Sequence, residues 1–527
     1  MSINEWIDKD GRCIIPEGVT EIKPGAFNDC ICRIKSIEIP ASVATIARGA
    51  FFGCYTLESI IVSENNTNLK SINDCCLSKN GDRLIFGCKN SIIPDSVTVI
   101  EDTAFAGTGI TSIKIPKNVY RIGESAFAAC YRLSSIAVSK DNSHYTSNGN
   151  CCLSKIDNKL VFGCNTSIIP DGVKAIGDYA FCGCRCLTFI DIPDSVQTIG
   201  ESAFHGCSLI SVEIPDSVAE IGAGAFAYCQ DLTSIRLPNY ISKIRKDTFS
   251  YCSKLESICL PDNITGIGSW AFSCCENLSS IEIPVSVTEI GQGAFSKCTG
   301  LSSVKIPNSV TKLGDYAFLG CTGLTSIEIP DSITEIGDGT FSFCKRLTSI
   351  KIPNSITEIG QEAFRKCTGL ISVKIPNSVT KLGDGAFLGC TGLTSIEIPN
   401  SVTEIGQEAF SLCRRLTSIE IPDSITEIGQ FTFSSCKRLT SIKIPSSVTK
   451  IDSWAFDACK GLTTIDIPVS ITEISHDAFC DCTGLTSVNI YVSEDWPEII
   501  KNALKISRHF NSSIVTLKVP IRLLGCL

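Results

Sequence analysis

The chain has 527 residues, 43% of them hydrophobic and 7% aromatic, with a formal net charge of −9. That balance argues against the basic surface needed for nucleic acid or an anionic membrane. No apolar run reaches the length of a membrane span, because charge or proline interrupts each one, so no membrane insertion is expected.

Residues 1–39 read as an N-terminal cap and first repeat, with Cys13, Ile14 and Ile15 supplying the first strand. Met1 to Asp10 has neither the basic nor the apolar segment of an export signal. A cytoplasmic location is therefore expected, with the cell surface or secretion by a non-Sec route as the alternative.

Residues 40–169 hold repeats with two matching inserts, where the proline spacing opens from Pro40 to Pro94 and from Pro116 to Pro170. Cys75-Cys76-Leu77-Ser78-Lys79 and Leu84-Ile85-Phe86-Gly87-Cys88 recur as Cys151-Cys152-Leu153-Ser154-Lys155 and Leu160-Val161-Phe162-Gly163-Cys164. Each insert sets Gly, Asn or Asp turn residues between apolar runs, which predicts a β-hairpin grafted on the array.

Residues 170–490 are regular repeats of 22 or 23 residues, and across the whole chain a proline is followed eleven residues later by phenylalanine eighteen times. A fixed period in the twenties marks a solenoid, whose units bury their apolar side only by stacking. In one unit, Leu324, Ile327 and Ile329 alternate with polar residues as a half-buried strand that Pro330 ends. Ile333 and Ile336 continue through a second extended segment, and Gly337 turns the chain. The spacing from Asp338 to Cys344 predicts a short helix or 3-10 segment with Phe341 and Cys344 on its inner face. The residue before Phe is Ala in most coils and Thr at Thr248, Thr340 and Thr432, small enough for close approach of the next coil. Three stacked rows, Leu/Ile, Phe and Cys, form the expected core.

The pattern Leu-x-x-Ile-x-Ile-Pro resembles the leading segment of leucine-rich repeats, and with its Ala-Phe-x-x-Cys tail the unit resembles the BspA-like leucine-rich-repeat family over roughly residues 11–490. The resemblance implies an α/β, β-dominated, curved solenoid with parallel short strands on one face and short helix or 3-10 segments. It also implies kinship with bacterial or protozoan surface proteins that bind matrix components or other cells, and similar inserts in that family look like variant coils.

Of 31 cysteines, seventeen lie three residues after a repeat Phe, among them Cys30, Cys54, Cys130 and Cys184, with Thr108 the exception. A residue recurring once per coil is a ladder, and free Cys behaves as a small hydrophobe, so buried thiols in a reducing compartment are expected. The clusters Cys182-x-Cys184-x-Cys186 and Cys75/Cys76 with Cys88 lack the paired spacing of structural zinc. His144, His205, His476 and His509 lie in different coils, outside any nucleophile or metal motif. The glycines mark turns at a repeat offset rather than a phosphate cradle. No enzyme activity, metal or cofactor is expected.

Two rows should face outward. Two residues before proline stand Glu282, Lys305, Glu328 and their successors; five after it stand Glu289, Lys312, Glu335 and theirs. Nine after it, Tyr179, Trp270, Tyr316, Phe431 and Trp454 interrupt mostly small residues. These five are candidate partner-binding residues, either as exposed anchors or folded over the adjacent coil. Residues 299–367 and 368–436 nearly repeat one another, as a copied three-coil block.

Residues 491–527 read as a C-terminal cap: an amphipathic helix from Glu494 to Arg508, then a last strand from Ser513 to Pro520. The reading as a whole is a non-catalytic leucine-rich-repeat scaffold for a protein partner, with a cell-surface adhesin-like protein as the alternative.

Overall fold

The structure, a computed structural model, describes residues 3–28, 33–475, 477–491 and 512–518. Cys30, His476, His509 and the expected helix from Glu494 to Arg508 lie outside them. The chain divides into two compact units, residues 1–263 and 264–527. Both are solenoids of leucine-rich repeats built from parallel strands two to five residues long.

One coil of the second unit shows how the sequence makes the turn. Ser303–Lys305 pairs in parallel with Ser326–Glu328, burying Val304 between exposed Ser303 and Lys305. Pro307 cannot donate to the ladder, and its carbonyl accepts the Val310 amide at 3.0 Å in a tight turn. Lys312–Leu313 then pairs with Glu289–Ile290. Val304, Val310, Leu313, Phe318, Cys321 and Leu324 are all buried. Each large apolar side chain so buried contributes on the order of 1.5–3 kcal/mol.

The segment carrying Phe and Cys is not helical. It is a run of turns, in which Ala294 N donates to Gly291 O and Cys298 N to Phe295 O, each at 3.2 Å. The third residue of each turn, Gly293 and Lys297, has φ of 60° and 58°, as type II turns require. The same two offsets, nine and thirteen after proline, are left-handed through most coils, including Glu362 (54°), Lys366 (54°), Glu408 (57°) and Leu412 (61°). Left-handed backbone costs a non-glycine residue about 1–2 kcal/mol. A ladder between coils offsets that cost: Gly293 N donates to Asp315 O, Phe295 N to Ala317 O and Lys297 N to Leu319 O, at 2.8, 2.8 and 2.6 Å. Among the described residues helical geometry is confined to short 3-10 turns, such as Ile3–Trp6 and Ser512–Ile514.

Glycine seven after proline has a different reason from the turn the sequence suggested. A Cβ on Gly314 would lie 2.4 Å from the Gln292 nitrogen, so the residue is small because two backbones touch there.

The phenylalanines form continuous stacks. In the second unit they run from Phe272 to Phe479 at 5.0–5.8 Å between ring centroids. In the first, each insert donates a ring: Phe86 stacks on Phe51 at 4.1 Å and Phe162 on Phe127 at 4.0 Å. The glycine after each ring is obligatory, since a Cβ on Gly87 or Gly163 would lie 2.1 Å from the ring of Phe105 or Phe181.

Each insert holds three antiparallel strands: Leu69–Ile72, Cys75–Ser78 and Arg83–Gly87 in the first, Tyr145–Asn148, Cys151–Ser154 and Lys159–Phe162 in the second. Buried Asn66 and Asn142 fasten them, each amide donating to the proline and valine carbonyls of the coil before. At the C-terminal end, Val515–Lys518 pairs in parallel with Ser487–Tyr491.

Candidate interaction surfaces

The outward rows are charged, as their alternation with buried Ile and Val dictates. Five after proline, opposite charges meet across coils: Lys312 lies 2.8 Å from Glu289, and Lys381 stands between Glu358 (3.7 Å) and Glu404 (3.6 Å). Such exposed pairs are worth about 0.2–1 kcal/mol each. Two before proline, Lys351 and Lys374 face each other as like charges, so that row is not built for self-pairing alone.

The first unit departs from this polar face. Ile168, Phe189 and Ile210, on three successive coils, are 72%, 68% and 52% exposed. They stand two, four and five residues before their prolines, where most coils carry charge, Ser or Thr. Exposed Asp191, Glu213 and Arg236 lie on the same strand row. Large uncovered apolar side chains interspersed with charge are the composition of a contact surface. Each departure is visible in the sequence once the repeat is aligned, but the charged majority of the row hides these exceptions.

The five aromatic candidates are half-buried, all at the left-handed offset, with φ of 55–59°. Tyr179, Trp270, Tyr316 and Phe431 fold over the following coil. A Cβ on Gly293 would lie 2.3 Å from the Trp270 ring, and one on Gly339 2.4 Å from that of Tyr316. Phe431 and Trp454 stack on each other at 5.0 Å. Tyr179, in the first unit, donates its hydroxyl to Glu201 at 3.1 Å. The structure brings together only Phe431 and Trp454.

A groove that the sequence did not reveal lies in the first unit, lined by Tyr131, Cys182, Arg185, His205, Tyr228 and Asp231 among others. His205 packs against Tyr228 at 5.0 Å, Tyr228 stacks on Tyr251 at 4.4 Å, and Arg185 lies over Tyr131 at 5.1 Å. The signal was there at offsets twelve and thirteen, but these residues come from several coils and an insert. Cys182 Sγ is 4.0 Å from His205 Nδ1. Burial pushes the Cys182 thiol up to about 11 and the His205 imidazole down. Both are neutral near pH 7, the opposite of the thiolate and imidazolium of an activated nucleophile.

The described cysteines are free thiols, most of them buried, and the row after each Phe is a ladder. Cys186, Cys259 and Cys480 are exposed. Among the described residues, no group of three or more His, Cys, Asp or Glu is placed to hold a metal ion, and no helix is long and apolar enough to cross a membrane.

Residues 11–86, 84–168, 154–279, 265–394 and 380–511 match the family described as the BspA type leucine rich repeat region. No curated protein matches. Among solved structures, a leucine-rich repeat protein from Bacteroides ovatus is 28% identical, covering 86% of this chain and 98% of its own, with a TM-score of 0.48. A leucine rich cell surface protein from Faecalibacterium prausnitzii is 23% identical, covering 81% and 95%, with a TM-score of 0.37.

Proposed function

This chain belongs to the BspA-type leucine-rich-repeat family, and on that premise we propose that it is a non-catalytic scaffold that holds a protein partner on the outward strand face of its first unit. Ile168, Phe189 and Ile210 carry this reading, because three successive coils leave large apolar side chains uncovered at offsets that are polar elsewhere. Burying such a patch under a partner supplies hydrophobic affinity, while the interspersed Asp191, Glu213 and Arg236 set orientation. The half-buried aromatics contribute chiefly to coil packing, with Tyr179, Trp270, Tyr316, Phe431 and Trp454 secondary contacts at most. No catalytic role is assigned to the neutral Cys182–His205 pair. The rows of buried free thiols support a reducing compartment.

The test is capture from lysate with the wild-type chain and with a Phe189→Ser/Ile210→Ser variant, alongside thermal melts. Loss of the captured proteins with an unchanged melt supports the reading. Retention of the same proteins by the variant would overturn it.

A further inference from the structure

Each insert breaks the second strand row and leaves a notch in the first unit. Thr45–Ile46 pairs only with Glu21–Ile22, and Arg121–Ile122 only with Val99–Ile100. The two notches are lined by corresponding residues: Ile46 and Ile122, Phe51 and Phe127, Phe86 and Phe162, Asp102 and Asp178.

In a parallel ladder, alternate amides of a strand face opposite neighbours. Thr45 N and Ala47 N donate back to Thr20 O and Ile22 O, so the Ile46 amide faces the notch. In the second notch the equivalent Ile122 amide is capped, donating to the Tyr145 hydroxyl at 3.1 Å. Leu69 stands at the corresponding place in the first insert and has no hydroxyl. Among the described residues nothing accepts the Ile46 amide. The Phe51 amide is in the same state for a different reason. In regular coils the Phe amide donates to the following coil, but here the matching carbonyl, Ala104 O, is taken by Gly87 N at 2.8 Å.

The lips of the two notches also differ. Arg48 and Arg83 flank the first, each with its side chain about half exposed and each touching one acid, Asp102 at 3.4 Å and Glu101 respectively. In the second notch Glu124 and Lys159 hold those places.

We propose that the first notch is a docking site for an extended peptide segment carrying a carboxylate. A carbonyl of that segment accepts the Ile46 amide as an added strand would, a second reaches the Phe51 amide, and the carboxylate lies between the Arg48 and Arg83 guanidiniums. Two unpaired backbone donors at a strand edge call for a backbone acceptor, and the two guanidiniums call for an acid. The second notch is closed to the same ligand by Tyr145 and repels it through Glu124. This site is separate from the apolar patch at Phe189 and does not depend on it.

Panning a phage-displayed library of linear peptides on the full chain provides the probe, and the strongest binder is then synthesised and labelled. Acidic sequences are expected, with affinity lowered about tenfold or more by Leu69→Tyr and by Arg48→Glu/Arg83→Glu, but unchanged by Tyr145→Leu or Phe189→Ser. Amide exchange at Ile46 is expected to slow when the peptide is added. Leu69 is buried, so if its variant fails to fold, the arginine variant and the exchange measurement decide. Recovery of no acidic peptide, affinity indifferent to the arginine variant, or an Ile46 amide that exchanges as fast with peptide as without it each overturns the proposal. Binding that is lost only in Phe189→Ser counts against the notch and in favour of the apolar patch.

Discussion

The Cys321 thiol donates to the carbonyl oxygen of Phe295, one coil back, at 3.1 Å, and the same oxygen accepts the Cys298 amide of its own coil at 3.2 Å. One carbonyl thus closes a turn and ties two coils. The contact recurs from Cys207 on Phe181 and Cys229 on Phe204 to Cys413 on Phe387 and Cys436 on Phe410. Thr108 departs from it, although Cys184, which also follows an insert, keeps its thiol. The coil before Thr108 is an insert, and its hydroxyl turns to its own Phe105 carbonyl at 2.7 Å.

Burial pushes these thiols up, Cys321, Cys367 and Cys413 to about 12. An unfolded thiol ionises near pH 8.5–9, so above that value the unfolded chain releases protons that the folded chain keeps. The ladder's contribution is complete below about pH 8.5 and is lost as pH rises toward 12, by about 1.4 kcal/mol per thiol per pH unit. Urea unfolding at stepped pH should show a plateau and then a steep alkaline fall. A profile flat to about pH 11 would contradict the ladder.

Phe341 stacks between Phe318 and Phe364 at 5.8 and 5.5 Å and is fully buried. Phe341→Ala should cost about 3–5 kcal/mol. Because each coil contacts chiefly its neighbours, the loss is local and should divide the unfolding transition of the second unit. Calorimetry of the variant reads this directly.

Lys297 pays for its left-handed backbone, whereas Gly320, one coil on at the same offset, does not (φ 58° and 71°). Lys297→Gly should raise stability by about 1 kcal/mol, and Gly320→Ala should lower it by a similar amount. Paired denaturant melts check both signs. A destabilised Lys297→Gly would mean that its side chain packs more than its backbone strains.

Trp270 lies against Gly293, and Trp454 stacks on Phe431. Trp270→Ser and Trp454→Ser should each destabilise by about 1–2 kcal/mol. A double variant that melts like wild type would restore these residues as free surface anchors.

The period, the strands and the three core rows were legible because each follows from one offset repeated many times. The turn segment is ambiguous in the sequence for a specific reason. Phe341 and Cys344 sit three apart, a spacing shared by a helix and by two successive turns. The left-handed residues that separate the two cases carry Tyr, Trp, Glu or Lys in several coils, so the glycine signal that would mark them is diluted. The surfaces were less legible still. Ile168, Phe189 and Ile210 become a patch only when three coils are stacked, and the His205 groove draws on residues far apart in the chain.

The direction of the turn ladder has a consequence for how such an array changes length. Each coil presents amide donors to the coil after it and thiol donors to the coil before it. A complete coil added at any regular position meets matched partners on both sides, as in the three-coil block at 299–367 and its copy at 368–436. A fraction of a coil does not. The inserts supply strands and a Phe ring but no second set of turn carbonyls, and they leave Phe51 and Phe127 with amides that have no acceptor among the described residues. Growth by whole coils preserves the array, and partial coils open its wall.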